Sequence, residues 1–446
     1  TVVIDYSHPN IDKPMSVAHL RSTIIGQALY NVFKFSGSKT IGDNHLGDWG
    51  KQFGILIAAY KSSQHKGKKA TIKDLFNLYV DYTAKMESVP ALEEQARLET
   101  KKLQEGDSEN LKIWKIFRRL SLKEFEKIYK LLEVKFDYYL GESFYKSLLP
   151  GIVEEALKSG TAKRSQGAVV IPIVGKPPFI IQKSDEAFLY STTDLAAVKY
   201  RIEKFKASLI LYVVDNGQSL HFEELFQAAH KLGYVGKEKL IHVKFGLILT
   251  EDLKKLSTRA GRHIALEKVI EEAIEKTQGI ADAKRPDLSA AKRKKIAKLI
   301  GIAALKYNDL SQNRQSDIAF RWEKMLNLEG NSAPYIMYSY ARLKSILRKG
   351  TPKKMDLRHL EETADFDLIL KLIHFPEVIE SVTHDYFPHH LTDYLYDLAK
   401  TLNRFYEQEP VLKAPAGLRD LRLHLVAAVA ETLKTGLALL GIKVLE

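Results

Sequence analysis

Apolar residues open the chain: Val-Val-Ile at positions 2–4, followed by Asp5 and Tyr6, have the length and composition of a buried strand over residues 2–6. A polar loop with Pro9 and Pro14 comes next. From about Ser16 apolar residues return at helical spacing, as Val17, Leu20, Ile24, Ala28 and Val32, up to a stop at Gly37. A second short strand over residues 39–42 completes a strand–helix–strand unit, the building block of a parallel, doubly wound sheet.

Between about residues 59 and 148 the pattern turns charged and helical. Over residues 111–133 apolar positions recur at three and four while Lys and Glu fill the other face. Strand-like runs return over residues 168–174, 179–182, 209–214 and 241–249, with helical stretches over 195–206 and 220–232, and these are expected to supply the second half of the sheet. After Gly261 every strong pattern is helical, over residues 264–276, 290–307, 333–347, 366–373, 391–406 and 418–440. The expected architecture is α/β: a Rossmann-like parallel-sheet domain over residues 1–263 with a helical insertion at about 59–148, a helical connecting region over 264–332, and an all-α bundle over 333–446.

Composition narrows the class. A chain of 446 residues that is 45% hydrophobic has room for two or three cores, and it holds no apolar run of the roughly 18 to 20 residues that span a bilayer. The start lacks the basic and apolar regions of a signal peptide. With no cysteine, disulfides and thiolate-zinc sites are excluded, so any metal must be held by oxygen or imidazole, and a cytoplasmic setting is expected. A net charge of +13 suits a polyanionic partner, whose phosphates Lys and Arg neutralise.

The chemistry gathers in three stretches. The loop Ser7-His8-Pro9-Asn10-Ile11-Asp12-Lys13-Pro14-Met15-Ser16-Val17-Ala18-His19 lies between the first strand and first helix, where backbone amides and the helix dipole favour phosphate. It has neither the glycine spacing of dinucleotide folds nor the glycine-lysine signature of P-loops, so a nucleotide here is held differently. His19 and Lys13 are the candidate donors toward a triphosphate. Read alone, Gly42-Asp43-Asn44-His45-Leu46-Gly47-Asp48-Trp49-Gly50 is a glycine-rich turn around a core tryptophan, Asp194 an N-cap, Glu142 a loop acid and Tyr190 the end of a strand. Lys254-Lys255-Leu256-Ser257-Thr258-Arg259-Ala260-Gly261 follows the last strand.

Together these strings resemble the arginyl-tRNA synthetases. The first loop is similar to that family's Ser-x-Pro-Asn-Ile-Ala-Lys-Pro leading into His-Val-Gly-His-Leu-Arg-Ser-Thr, the second to its Asn-His-x-Gly-Asp-Trp-Gly segment, and the third to the Lys-Met-Ser-Thr-Arg form of the class I loop. The resemblance implies an arginine–tRNA ligase that activates arginine with ATP and passes it to the 3′-terminal adenosine of tRNA(Arg). It assigns His19, Lys13 and Lys255 to charge stabilisation on the phosphates, and Ser16, Ala18, His19, Lys255 and Ser257 to ATP. It implies arginine recognition by Asn10, Glu142, Tyr190, Asp194 and Gln218, as a guanidinium wants planar acceptors opposite its fork. Mg²⁺ is expected through the phosphates of ATP, with no dedicated protein metal site. A helical anticodon-binding (DALR-type) domain is implied for residues 333–446, with Tyr394, Asn403, Phe405 and Tyr406 similar to its last helices and most of the aromatics there expected in the bundle core.

Two departures fall in the most diagnostic tetrad. Where the family has His-x-Gly-His, this chain reads Ser16-Val17-Ala18-His19. Ser16 cannot carry an imidazolium's charge, and the Ala18 methyl takes space a glycine leaves to the adenine ring, so weakened ATP binding is expected. A non-catalytic tRNA-binding paralogue is therefore the alternative reading, and an arginyl transferase acting on something other than tRNA a more distant one. The family's additional N-terminal domain is expected to be lacking, because the chain starts directly on the first strand. No membrane partner and a monomer are expected.

Overall fold

A computed structural model describes residues 1–63, 70–249, 264–353, 360 and 363–445. The chain divides into two compact units, Thr1–Ser22 with Thr40–Lys244, and Thr23–Lys39 with Phe245–Glu446.

Among the described residues the first unit carries seven strands: β1 (Val2–Asp5), β2 (Thr40–Asp43), β3 (Lys163–Ser165), β4 (Ala168–Ile171), β5 (Phe179–Gln182), β6 (Leu209–Tyr212) and β7 (Lys239–His242). Four of them form a parallel sheet in the order β2-β1-β6-β7. β1 is buried at every position, as a strand covered on both faces must be, and this is why it reads as an unbroken apolar run. The register aligns the last residues of the strands, with Asp5 beside Asp43 and Tyr212, and Tyr212 beside His242. This row lies at the carboxyl ends of the strands, where open α/β sheets hold their ligands. Helices Leu149–Lys158, Tyr190–Phe205 and Ser219–Lys231 supply much of the core against β1, β4, β5 and β6.

The expectation that all later strands join one sheet is corrected. β3, β4 and β5 form a separate antiparallel sheet. Seven residues, 172–178, connect β4 to β5, whereas a parallel crossover needs a dozen or more. The run expected over residues 241–249 is likewise two strands, β7 and a two-residue β8 (Ile248–Leu249), which pairs in the second unit with β9 (Ile318–Ala319).

The charged middle folds as helices Lys51–Ser62, Ile72–Met86, Pro90–Glu105 and Ser108–Leu132. At Gly54 two of them approach so closely that a Cβ would stand 2.5 Å from the Ala96 carbonyl oxygen. Lys61 reaches Glu99 at 2.7 Å and Asn110 at 2.6 Å, tying a third helix to the pair.

The second unit is mostly helical. Leu266–Lys284 and Ala290–Leu310 pack together through Thr277, whose hydroxyl donates across to the Ala297 carbonyl at 2.8 Å. Helices Ala333–Lys349, His389–Gln408 and Ala416–Leu439 form the bundle, with Gly436 letting Leu395 in close. Tyr394 and Phe405 are core residues of it, whereas Tyr406 is exposed. Helix Phe375–Asp385 lies outside the helical runs read from the pattern; its Pro376 sits in the first turn, where a missing N–H costs nothing.

Candidate active site

Asp5 and Asp43 end adjacent parallel strands, and burying two carboxylates side by side demands a cation. Arg201 supplies it from helix Tyr190–Phe205, with Nη1 2.8 Å from Asp5 and Nη2 2.8 Å from Asp43, all three residues buried. The guanidinium also lies 5.5 Å from the Tyr212 ring. Asp43 accepts the Leu140 N–H at 3.2 Å, which fixes the approach to Glu142. His8, held at a positive φ of 50°, stands 3.4 Å from Asp5, and burial pushes its imidazole below the ordinary range.

Glu142 begins the short helix Glu142–Tyr145 and is clamped by the loop after β2. Its own N–H donates to the Leu46 carbonyl at 3.0 Å, and its carboxylate accepts the Trp49 N–H at 3.2 Å. Burial pushes this carboxyl up to about 7; the charges of Asp194 and Asp48 add to the rise and His45 opposes it. A cation beside a carboxyl raised by burial would restore its charge.

Asp194 faces the same region from helix Tyr190–Phe205. That helix starts at Tyr190, so the readings of Asp194 as an N-cap and Tyr190 as a strand end are both corrected. Ser191 and Thr192 donate their hydroxyls to the Ile180 and Ile181 carbonyls of β5, and these bonds anchor the helix one turn earlier than the apolar pattern indicated. Tyr190 and Asp194, four apart, share a face. Asp194 is flanked by two imidazoles, His221 at 2.6 Å on one oxygen and His45 at 3.8 Å on the other. Neither histidine was singled out from the sequence. Gln218 is exposed on the turn before helix Ser219–Lys231 and hydrogen-bonds to neither carboxylate.

Asn10 enters through Gly47. Pro9 accepts the Gly47 N–H at 3.2 Å, and Ile11 donates to the Gly47 carbonyl at 3.1 Å. A Cβ at Gly47 would stand 2.0 Å from Asn10 Oδ1, so only glycine leaves the carboxamide its place. Asp48, fully buried, accepts from Arg118 at 3.0 Å and from the Ser143 N–H and hydroxyl at 2.8 Å each. Trp49 is half-buried and not a core residue: its ring meets Trp114 edge-on at 5.7 Å, with the Lys146 ammonium 4.8 Å above it.

At the start of helix Ala18–Phe35, Ser16 and His19 form one local unit. The Ser16 N–H donates to His19 Nδ1 at 3.0 Å, with the Ser16 hydroxyl also 3.0 Å from that nitrogen. The same nitrogen lies 3.2 Å from the Ser16 carbonyl oxygen. Ser22 in the next turn takes the Ser7 N–H at 2.8 Å and donates to Val213 at 2.6 Å, pinning the helix start to the sheet. Ala18 is exposed and Lys13 half-buried. Lys255 and Ser257 lie outside the described residues.

A parallel sheet with a long loop before its first helix, a group of carboxylates near the strand ends and a mostly helical second unit fit comparisons with known families. Residues 1–322 match the family described as tRNA synthetases class I (R), catalytic domain, and residues 336–446 match the DALR anticodon binding domain. The fold and these matches define a class I aminoacyl-tRNA synthetase. Arginine–tRNA ligases of Chloroflexus aggregans and Fusobacterium nucleatum are 45% and 42% identical over all of this chain and 79% of their own length. The arginyl-tRNA synthetase structures of Plasmodium falciparum (TM-score 0.86, 32% identity, 76% of that chain) and Thermus thermophilus (0.87, 26%, 82%) superpose on all of it. The chain belongs to the arginyl-tRNA synthetase family.

Proposed function

We propose that this protein is an arginine–tRNA ligase. Arginine's carboxylate oxygen attacks the α-phosphorus of ATP, pyrophosphate leaves, and arginyl-adenylate forms. A ribose hydroxyl of the 3′-terminal adenosine of tRNA(Arg) then attacks the arginyl carbonyl and AMP leaves. The observation that carries this reading is the convergence of Glu142 and Asp194 at the strand ends, a two-carboxylate face matched to a guanidinium. In this reading Asn10, Tyr190 and Gln218 complete arginine recognition, with Gln218 closing in from its turn when the ligand is present.

On the nucleotide side, His19 is assigned to donate to a phosphate oxygen and Lys13 to add charge, so stabilisation is electrostatic and positional, with no covalent enzyme intermediate. Lys255 and Ser257 are assigned to the same phosphates by the signature loop alone. Mg²⁺ is proposed to accompany ATP, where it would offset charge on the phosphates beside His19 and Lys13. In the helical unit, Arg342 lies 5.5 Å from the Tyr338 ring and 5.0 Å from that of Tyr406, both tyrosines exposed, a stacking surface suited to unpaired bases of tRNA. None of the described helices is long and apolar enough to cross a membrane; a cytoplasmic monomer is the accompanying proposal.

The test is charging of total tRNA with labelled arginine, ATP and Mg²⁺, comparing wild type with Asp194→Ala. Charging that Asp194→Ala abolishes supports function and pocket together. A folded wild type that binds tRNA but neither charges it nor binds ATP would instead support the tRNA-binding paralogue. Ser16 and exposed Ala18 in the signature tetrad are the observations that keep that second reading in play.

A further inference from the structure

We propose that His221 is a positioning residue for arginine recognition: it aims the Asp194 carboxylate and links it to the turn that carries Gln218. The inference rests on the reading of Asp194 as a guanidinium contact.

One imidazole is the meeting point of three elements. From the first turn of helix Ser219–Lys231 its Nε2 lies 2.6 Å from Asp194 Oδ2. A carboxylate oxygen only accepts, so Nε2 carries the proton and donates. The same ring packs against Tyr190 at 4.9 Å and Phe179 at 5.9 Å, which fixes its plane from the helix of Asp194 and from β5. Gln218 is one turn ahead on the same stretch of chain, so a shift of His221 moves Gln218 with it.

The burial gradient gives the arrangement its direction. The His221 side chain is 11% exposed and that of Asp194 22%, so the imidazole stands behind the carboxylate with respect to solvent. A short charge-assisted bond to one oxygen stops the carboxylate from rotating and leaves the other oxygen, with His45 at 3.8 Å, to face the ligand. An aspartate without this bond samples several rotamers, and a planar bidentate contact loses affinity when its acceptor is not held.

The experiment measures arginine KM, ATP KM and kcat in tRNA charging, with thermal melts alongside, for His221→Phe, His221→Asn and His221→Gln. Phenylalanine keeps the ring packing without the donor, asparagine is too short to reach Asp194, and glutamine places an amide N–H near the position of Nε2. Loss of a charge-assisted bond predicts a roughly tenfold or greater rise in arginine KM for the first two, with kcat and ATP KM within about threefold of wild type. His221→Gln should stay within about threefold of wild type. Unchanged arginine KM in both His221→Phe and His221→Asn overturns the proposal, as does an equal loss in His221→Gln. Should His221→Phe fail to fold, His221→Asn and His221→Gln carry the comparison. Asp194→Asn separates this inference from the reading beneath it: if it leaves arginine KM unchanged, the pocket assignment itself fails. If Asp194→Asn raises KM and the His221 variants do not, only the role of His221 falls. Adding His221→Phe to Asp194→Asn should cost nothing further, since His221 acts through Asp194, and additive losses count against it.

Discussion

Glu142 makes arginine binding depend on pH in a way that can be worked from the structure. Its carboxyl is held at about 7 by burial, so near neutrality about half the unliganded molecules carry it protonated. A guanidinium, charged throughout this range, binds the carboxylate form, so apparent affinity scales with the ionised fraction. That fraction is about 0.9 at pH 8 and about 0.09 at pH 6, so arginine should bind about tenfold more weakly at pH 6, with about half a proton released per arginine bound at pH 7. His45, Asp194 and Asp48 act on this carboxyl, and His221 stands behind Asp194. Glu142→Gln removes the carboxyl and leaves the histidines, so the difference between the two curves isolates Glu142. Calorimetric titration with arginine from pH 6 to 8, in buffers of differing ionisation enthalpy, reads both affinity and proton release. Parallel curves for wild type and Glu142→Gln would refute the argument, as would a carboxyl ¹³C titration of Glu142 with its midpoint near the ordinary 4.5. The same shift fixes a stability trend. The folded chain holds this proton between pH 4.5 and about 7 while the unfolded chain has lost it, so this group's contribution to stability falls as pH rises through that window.

Gly47→Ala should weaken arginine binding through displacement of Asn10, whose Oδ1 would meet the new methyl at 2.0 Å; a melting temperature close to wild type with a raised arginine KM is the expected pair of results, and unchanged KM counts against a role for Asn10. Arg201→Met leaves Asp5 and Asp43 buried without their cation and should cost about 3–5 kcal/mol in a urea melt. A loss below about 1 kcal/mol, the level of an exposed pair, would mean that water already screens the trio. Ser16→His with Ala18→Gly should lower the ATP KM severalfold if the tetrad is a weakened but working site. A jump from no charging to robust charging would show that the native chain is the non-catalytic paralogue.

The strand-length run at residues 2–4 was legible because a strand buried on both faces is apolar throughout, and the helix after Ser16 and the long helices of the second unit because one buried face imposes a period of 3.6. Chemistry was legible where it is written in contiguous strings, as in the loops carrying Asn10 to His19 and Asn44 to Gly50. Asp5 and Asp43 carried an unused signal: each stands at the end of a strand read from the sequence, and two carboxylates buried at adjacent strand ends need a partner cation. The connection between β4 and β5 carried another, being too short for a crossover.

What the sequence by itself determined was the order of elements, the family resemblance and the residue types that could meet a guanidinium and a triphosphate, since each depends on neighbours a few positions away. Only the tertiary structure decided that Arg201 bridges Asp5 and Asp43, that His45 and His221 flank Asp194, and that Glu142 is raised to about 7. Those outcomes depend on partners scattered along the whole first unit and on the water excluded around them. A local pattern can name a carboxylate, but its charge state and orientation are set by what the fold packs against it.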